Sequence, residues 1–485
     1  MRKILLATTA VAASAIFAAH DAKAQLPTAP EGVTVRIGGY FRFNYSFTDQ
    51  SGGNSTSEAF RVGGVPTGGL NQANPAVLNA QTQVQGPTQG GQVGAPGTTG
   101  TAPTNVLPAG AAQATNTGKS DFASDAEVHV IVSGKAANGL RYGAVIELQV
   151  DFNDGSYFPV ARSGTSRTAV DTDEMWMFLA GEFGQVRLGD EDGVLGGLMN
   201  SGHITNFGTG GVDGDYGDQV IRTARNATQF PGDLGDNTKI SYLSPQFLGF
   251  DVGASFAFNL GEGEDTGCVA DFATSTCDRA NGFSGTPRRR NELQLAARWR
   301  GNFGGVGLSV TGGAVLANPT KQLSAAGVNV STAEQYRLYH AGAQVTAFGF
   351  TVGGHYTFGP ANFNAPLLRG SPTVQSEDFS QWFVGGSYTF GQFTIGANAY
   401  EARSVGGATG AAAAGNRYDR AYAIGATYRI APGLELVAEY IDAERTERGN
   451  NFVGAPLNAA GTAVDATRNN RVDYQQVIIG TRIAF

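Results

Sequence analysis

The chain has 485 residues, of which 70 are glycine and only 15% are charged, with 33 basic against 41 acidic side chains and a net charge of −8. Glycine at about twice its ordinary share weakens helices wherever it occurs and argues against a large helical protein. Two cysteines exclude a disulfide scaffold, 18 prolines exclude a collagen-like chain, and the acidic balance leaves no basic surface for nucleic-acid phosphates.

The first residues, MRKILLATTAVAASAIFAAHDAKAQ, place Arg2 and Lys3 before an apolar run from Ile4 to Ala19 and a small-x-small site at Ala22-Lys23-Ala24. This is the pattern of a secretory signal peptide over 1–24, with cleavage before Gln25. Its removal takes away Arg2, Lys3, Lys23 and Asp21 and moves the net charge from −8 to −10. No later stretch approaches the roughly 20 apolar residues that a spanning helix needs. A membrane form of residues 25–485 would therefore cross as strands, in a single β-barrel domain.

Val33 to Thr48 supplies the first strand. Val35, Ile37, Phe41, Phe43, Tyr45 and Phe47 fall on one face, and Arg36, Arg42, Asn44 and Ser46 on the other. A period of two sustained this long marks a half-apolar strand, longer than soluble sandwiches use. Phe122 to Val132 continues with Ala126, Val128 and Val130 between Asp125, Glu127 and His129. Leu140 to Phe152 sets Tyr142, Ala144, Ile146, Leu148 and Val150 opposite Arg141, Glu147, Gln149 and Asp151. Further strands are predicted at 172–180, 184–190, 237–244, 249–258, 291–302, 304–317, 335–347, 349–358, 380–390, 391–401, 418–430, 433–445 and 472–485, about sixteen in all.

Their connections alternate in length. Long loops at 49–119, 153–171, 191–236, 259–290, 318–334, 359–379, 402–417 and 446–471 alternate with short turns such as 181–183, 245–248 and 431–432. An antiparallel transmembrane barrel sorts its loops this way, with short turns on the periplasmic rim and long loops outside. In lipid the sheet must close on itself to satisfy its backbone, and about sixteen strands enclose an aqueous lumen. The loop 49–119 is rich in Gly, Pro, Thr and Gln, a composition that favours disorder. Tyr45, Phe47, Phe152, Tyr428, Tyr440 and Phe485, near strand ends, suit interfacial girdles. Cys268 and Cys277 share one external loop, where an oxidising compartment favours a local disulfide.

The last strand carries Val477, Ile479, Thr481, Ile483 and the terminal Phe485 on one face. With this ending the chain resembles the trimeric general porins of Gram-negative outer membranes. Glu182-Phe-Gly-Gln-Val-Arg-Leu-Gly189 resembles their approach to the third loop. Asn237 to Phe256, with Tyr242, Ser244-Pro245 and Gly249-Phe250, resembles the hairpin that follows that loop. The resemblance does not extend over 49–119, and the third loop has no close counterpart of the acidic Pro-Glu-Phe-Gly-Gly motif of some relatives.

The resemblance implies an outer-membrane homotrimer, with Phe485 read by the insertion machinery and the third loop, 191–236, folded into the lumen as a constriction. On that expectation Asp190, Glu191, Asp192, Asp213, Asp215 and Asp218, with Asp233 and Asp236 further on, supply an acidic side. Arg36, Arg42, Arg298 and Arg300 supply a basic wall, alongside Arg141 and Arg482. Opposed rows of charge create a transverse field that orients polar solutes. The alternative is that the arginines neutralise wall carboxylates such as Glu147 and Glu292. The acidic balance favours cations, unless the acids sit in external loops, where divalent cations bridge them to lipopolysaccharide.

His129, His203, His340 and His355 show no metal-ligand or triad spacing, and no nucleophile elbow or phosphate loop occurs, so neither an enzyme nor a bound cofactor or metal is expected. The function expected is passive diffusion of small hydrophilic solutes. The rivals are a substrate-specific channel for anions, sugars or organic acids, and a barrel that only anchors a surface or adhesion protein.

Overall fold

The computed structural model describes residues 32–50, 119–151, 170–220, 237–258, 289–319, 333–362, 378–405, 416–447 and 471–485. The signal-peptide segment, most of 49–119, residues 221–236, and Cys268 with Cys277 lie outside the described residues.

Sixteen strands form. They are β1 (Val33–Gln50), β2 (Ser120–Lys135), β3 (Arg141–Asp151), β4 (Val170–Gly181), β5 (Gly184–Asp190), β6 (Thr238–Leu243), β7 (Phe250–Ala257) and β8 (Arg289–Phe303). After these come β9 (Val306–Pro319), β10 (Tyr336–Ala347), β11 (Phe350–Gly359), β12 (Phe379–Phe390), β13 (Phe393–Val405), β14 (Asn416–Ala431), β15 (Leu434–Glu447) and β16 (Arg471–Ala484). Each pairs antiparallel with its neighbours in sequence, and β1 closes the sheet against β16, from Tyr40 opposite Ala484 to Gln50 opposite Tyr474. The closed sheet leaves no edge to satisfy.

The period of two separates two environments. On β1, Ile37, Phe41, Phe43 and Phe47 are exposed on the outer surface, while Tyr40, Arg42, Asn44 and Ser46 are buried on the inner side. On β16, Val477, Ile479 and Ile483 face out, as does Phe485 beyond it. At the short-turn rim an aromatic band runs across neighbouring hairpins. Phe350 stacks on Tyr388 at 4.2 Å, Tyr388 on Phe390 at 5.4 Å, Phe390 on Phe393 at 5.6 Å and Phe393 on Tyr428 at 4.6 Å. The apolar rings of the three Phe, with the hydroxyls of Tyr388 and Tyr428, suit a lipid–water boundary.

Most predicted strand ends shift, by one to four residues, and two of the shifts have a backbone cause. The strands expected from 304 and 391 begin at Val306 and Phe393. Gly304, Gly305 and Gly391 have φ of 60°, 90° and 58°, left-handed backbone that closes a tight hairpin and cannot continue a strand. The described part of the third long connection, Glu191 to Val220, turns inward. Between this loop and the wall lies the main apolar cluster, in which Val194, Leu195, Met199, Val212 and Tyr216 meet wall residues including Ala296, Val315, Leu338 and Phe383.

An arginine in place of the outward Ile479 near the middle of β16 would meet hydrocarbon. Ile479→Arg is expected to lower folding stability by roughly 2–4 kcal/mol in urea titrations from lipid vesicles. An unchanged midpoint would show that this face is not in lipid.

Candidate functional site

The third loop, L3 hereafter, runs along the inner wall as a belt. It leaves β5 at Asp190, whose carboxylate accepts a hydrogen bond from the Thr238 hydroxyl at 2.5 Å. At its root the Glu191 side chain is paired with Arg187 at 2.8 Å, and the Lys239 ammonium donates to the Glu191 carbonyl. Burial pushes the Glu191 carboxyl above the usual range, with Arg187 acting in the opposite sense. A π-helical turn over Val194–Leu198 follows, with the Val194 amide donating to Ser255 and the Leu195 amide to Gln294, both at 3.3 Å.

The chain then crosses strand after strand. The Ser201 hydroxyl lies 2.6 Å from that of Ser309 and 2.8 Å from that of Thr311 on β9. His203 meets His355 of β11, ring nitrogen to ring nitrogen at 3.1 Å, while its other nitrogen lies 2.7 Å from the Asp213 carboxylate. The Asn398 amide of β13 donates to the carbonyls of Ile204 and Gly210, each at 3.1 Å, and its oxygen accepts from the Val212 amide at 3.1 Å. Glu439 of β15 accepts from the Thr209 amide at 3.1 Å, the Thr209 hydroxyl at 2.8 Å and the Gly211 amide at 2.8 Å. Tyr216 packs against Tyr474 of β16 with ring centroids 5.9 Å apart. Asp215 reaches β1, pairing with the Arg42 guanidinium at 2.7 Å and accepting from the Asn44 amide at 3.2 Å.

The wall beneath this path is built of glycine. A Cβ on Gly353 would lie 2.7 Å from Gly202 Cα, and one on Gly385 3.0 Å from Ile204 Cβ. On Gly396 it would overlap the Phe207 ring, and on Gly342 the Ser201 carbonyl. Gly253 and Gly313 make the same room for Met199 and Leu195. These residues lie on β7 and β9–β13 and form a shallow track in the lumen wall, in which L3 is seated by close backbone approach.

The acidic residues singled out from the sequence fall into groups. Asp190, Glu191, Asp192 and Asp215 are all buried, turned toward the wall or the underside of L3. Asp213 is partly exposed beside His203, and Asn206 is exposed on the same stretch of L3. The Asp218 side chain, and Asp233 and Asp236, lie outside the described residues. Among the basic residues, Arg42 joins Asp125 as well as Asp215. Arg298 pairs with Asp251 at 2.6 Å and donates to the Leu198 carbonyl at 3.2 Å. Arg300 shares Asp251 at 3.1 Å with its side chain 45% exposed, and Arg36 is half-buried on β1. Arg42 and Arg298 therefore hold both wall carboxylates and L3. Sequence reading did not single out Asn398, Glu439 or the glycine track, because their partners lie far away in the chain and leave no local spacing.

The profile of the family described as Gram-negative porin matches residues 7–448. The chain belongs to the Gram-negative porins. It is an outer-membrane channel for passive diffusion. Among solved structures, this porin is similar to an anion-selective porin from Comamonas acidovorans, at 13% identity and a TM-score of 0.47, covering 93% of this chain and all of that one. It is also similar to a loop-deletion mutant of OmpT from Vibrio cholerae, at 12% identity and a TM-score of 0.45, covering 94% of this chain and all of that one. A mutant of the Rhodopseudomonas blastica porin matches at 14% identity and a TM-score of 0.44, again over 93% of this chain and all of that one. No curated protein matches.

Two expectations follow from the seating of L3. Gly396→Leu forces Phe207 out of its recess, at a cost of about 1–3 kcal/mol, and should raise single-channel conductance while the barrel keeps its heat-modifiable mobility on gels; unchanged conductance would count against the seating. The second concerns Asp215, whose carboxyl is pushed from 3.8 up to about 6 by burial, with Arg42 lowering it and Asp125 raising it. The folded chain then holds this proton more tightly than the unfolded chain, so the stabilisation is full at the acid end and is lost as pH rises from about 4 to 6. Stability measured by urea unfolding should fall more steeply over that window in the wild type than in Asp215→Asn; parallel profiles would contradict it.

Proposed function

We propose that this porin passes small hydrophilic solutes by size and charge, with L3 as the constriction, rather than by binding one substrate. The observation that carries this reading is the path of L3, which follows the inner wall from β6 round to β1 and so narrows the lumen from most of its circumference. Asp190, Glu191, Asp192, Asp213, Asp215 and Asp218 are the acidic set of this constriction and Arg36, Arg42, Arg298 and Arg300 the basic set, with Asp215 and Arg42 in contact rather than on opposite sides. Asp213, Arg36 and Arg300 act directly on passing ions. Of the buried members, Glu191, Asp215, Arg42 and Arg298 act through the fields of their ion pairs and by fixing the loop. Transport of this kind needs no covalent chemistry, cofactor or energy source.

The wider reading includes export through a signal peptide cleaved after Ala24, insertion read from the strand ending in Phe485, and assembly as a homotrimer. Lipopolysaccharide lies around the long external loops, and a disulfide joins Cys268 to Cys277. The acidic excess gives a modest cation preference.

Planar-bilayer recording under a salt gradient tests the core of this reading. The expected result is a conducting step without saturable uptake of any one sugar in liposome swelling, closures in groups of three, and a reversal potential of the sign for cations. A chloride-selective pore would overturn the charge assignment, and absence of conductance would favour a barrel that serves only as an anchor.

A further inference from the structure

On β2 the inward residues Asp125, Glu127 and His129 follow one another toward the short-turn rim. Asp125 belongs to the Arg42–Asp215 attachment of L3. The next two positions meet Glu147 of β3, which lies opposite His129 in the register. His129 Nε2 is 3.0 Å from Glu127 Oε2 and 3.7 Å from Glu147 Oε2, and the three ligand atoms all lie within 4.8 Å of one another. Among the described residues this is the one group of three His, Cys, Asp or Glu side chains close enough to hold a metal ion.

A second feature of the wall converges on the same point. The β3–β4 register shifts between Ile146, opposite Met175, and Leu148, opposite Thr172, so two residues of β4, Asp173 and Glu174, stand against the single Glu147. In a regular strand one of them would face outward. The bulge leaves both buried, adding two carboxylates beside Glu147. The surroundings also fix the ligands. The Tyr40 hydroxyl donates to Glu127 Oε1 at 3.0 Å, leaving Oε2 directed at His129, and the Trp176 indole donates to Glu174 at 3.2 Å. Outer contacts of this kind orient metal ligands.

We propose that Glu127, His129 and Glu147 form a binding site for a first-row transition-metal dication in the pore wall, just to the periplasmic side of the L3 attachment. One imidazole nitrogen and two carboxylate oxygens are a donor set that zinc accepts, with ligand bonds of about 2.0–2.2 Å. Small rotations of the two Glu side chains would bring the present 3.0 and 3.7 Å separations to the spacing such bonds require. Magnesium and calcium prefer oxygen donors alone, so the imidazole sets the preference. Asp173 and Glu174 supply negative potential and acceptors for water on the metal. An occupied site would cancel two negative charges beside the constriction and reduce cation preference locally. The site itself stands independently of the size-selective reading, since binding can be measured without conduction.

The test is calorimetric titration of zinc chloride into the chelator-treated, detergent-solubilised full chain, with magnesium chloride as comparison. One zinc per chain is expected, with roughly tenfold or greater weakening in His129→Gln and in Glu147→Gln. His203→Gln, at the other histidine cluster, should bind as the wild type does. Folding of each variant is checked by heat-modifiable gel mobility. X-ray absorption on the zinc-loaded wild type gives a readout that needs no variant, with one imidazole and otherwise oxygen neighbours expected. Lack of zinc uptake, uptake that survives His129→Gln, equal binding of magnesium, or two or more imidazoles on the metal would each overturn the proposal.

Discussion

The structure depends on the demand that every backbone amide and carbonyl crossing an apolar medium be paired. A sheet meets it only by closing, and here closure rests on β1 against β16, the two ends of the described chain brought together over eleven residue pairs. Once the sheet is closed, each strand has lipid on one face and the lumen on the other. The alternation of side chains then needs no conventional core. Apolar residues that would fill the centre of a soluble protein instead cover the outside, and the main buried apolar cluster forms where a loop returns to the wall.

That returning loop reverses the usual relation between scaffold and site. Loops commonly carry function on a rigid framework, but L3 is held at intervals along the described part of its length. Backbone acceptors and donors meet Asn398 and Glu439, a guanidinium meets Asp215, and small wall residues let the two backbones approach. A buried ion pair adds little net stability because desolvating its charges offsets their attraction, yet breaking one leaves its partner uncompensated. The contacts therefore fix one position of the loop more than they add overall stability.

The strands were legible from sequence because a barrel strand separates two media, and that separation is written every second residue. All sixteen periods correspond to strands, with ends displaced by up to four residues; at 304, 305 and 391 the displacement comes from left-handed glycines, a property that polarity does not reveal. The inward direction of Arg42 and Arg298 was readable for the same reason. Their partners were not. Asp215 and Arg42 are 173 positions apart, and Thr209 and Glu439 are 230. Such pairs are brought together by the circular order of strands and by a loop whose path no local period encodes. The histidines behave likewise. His340 and His355 share no motif, but the β10–β11 register, with His340 opposite Thr357 and His355 opposite Gly342, places them two positions apart on one face, and L3 delivers His203 to them. The glycine surplus has a similar history. As composition it argued only against helices, whereas in the barrel part of it is the recess that receives the loop.

The attachment of L3 on many sides has a mechanical consequence. A flap hinged at one end can swing, because a force at its tip acts through a long lever. A hoop fastened to wall after wall has no such lever, and a push at any point is shared among several strands and the ion pairs on either side. Movement of the described part of L3, residues 191–220, would accordingly have to break contacts with several strands at once.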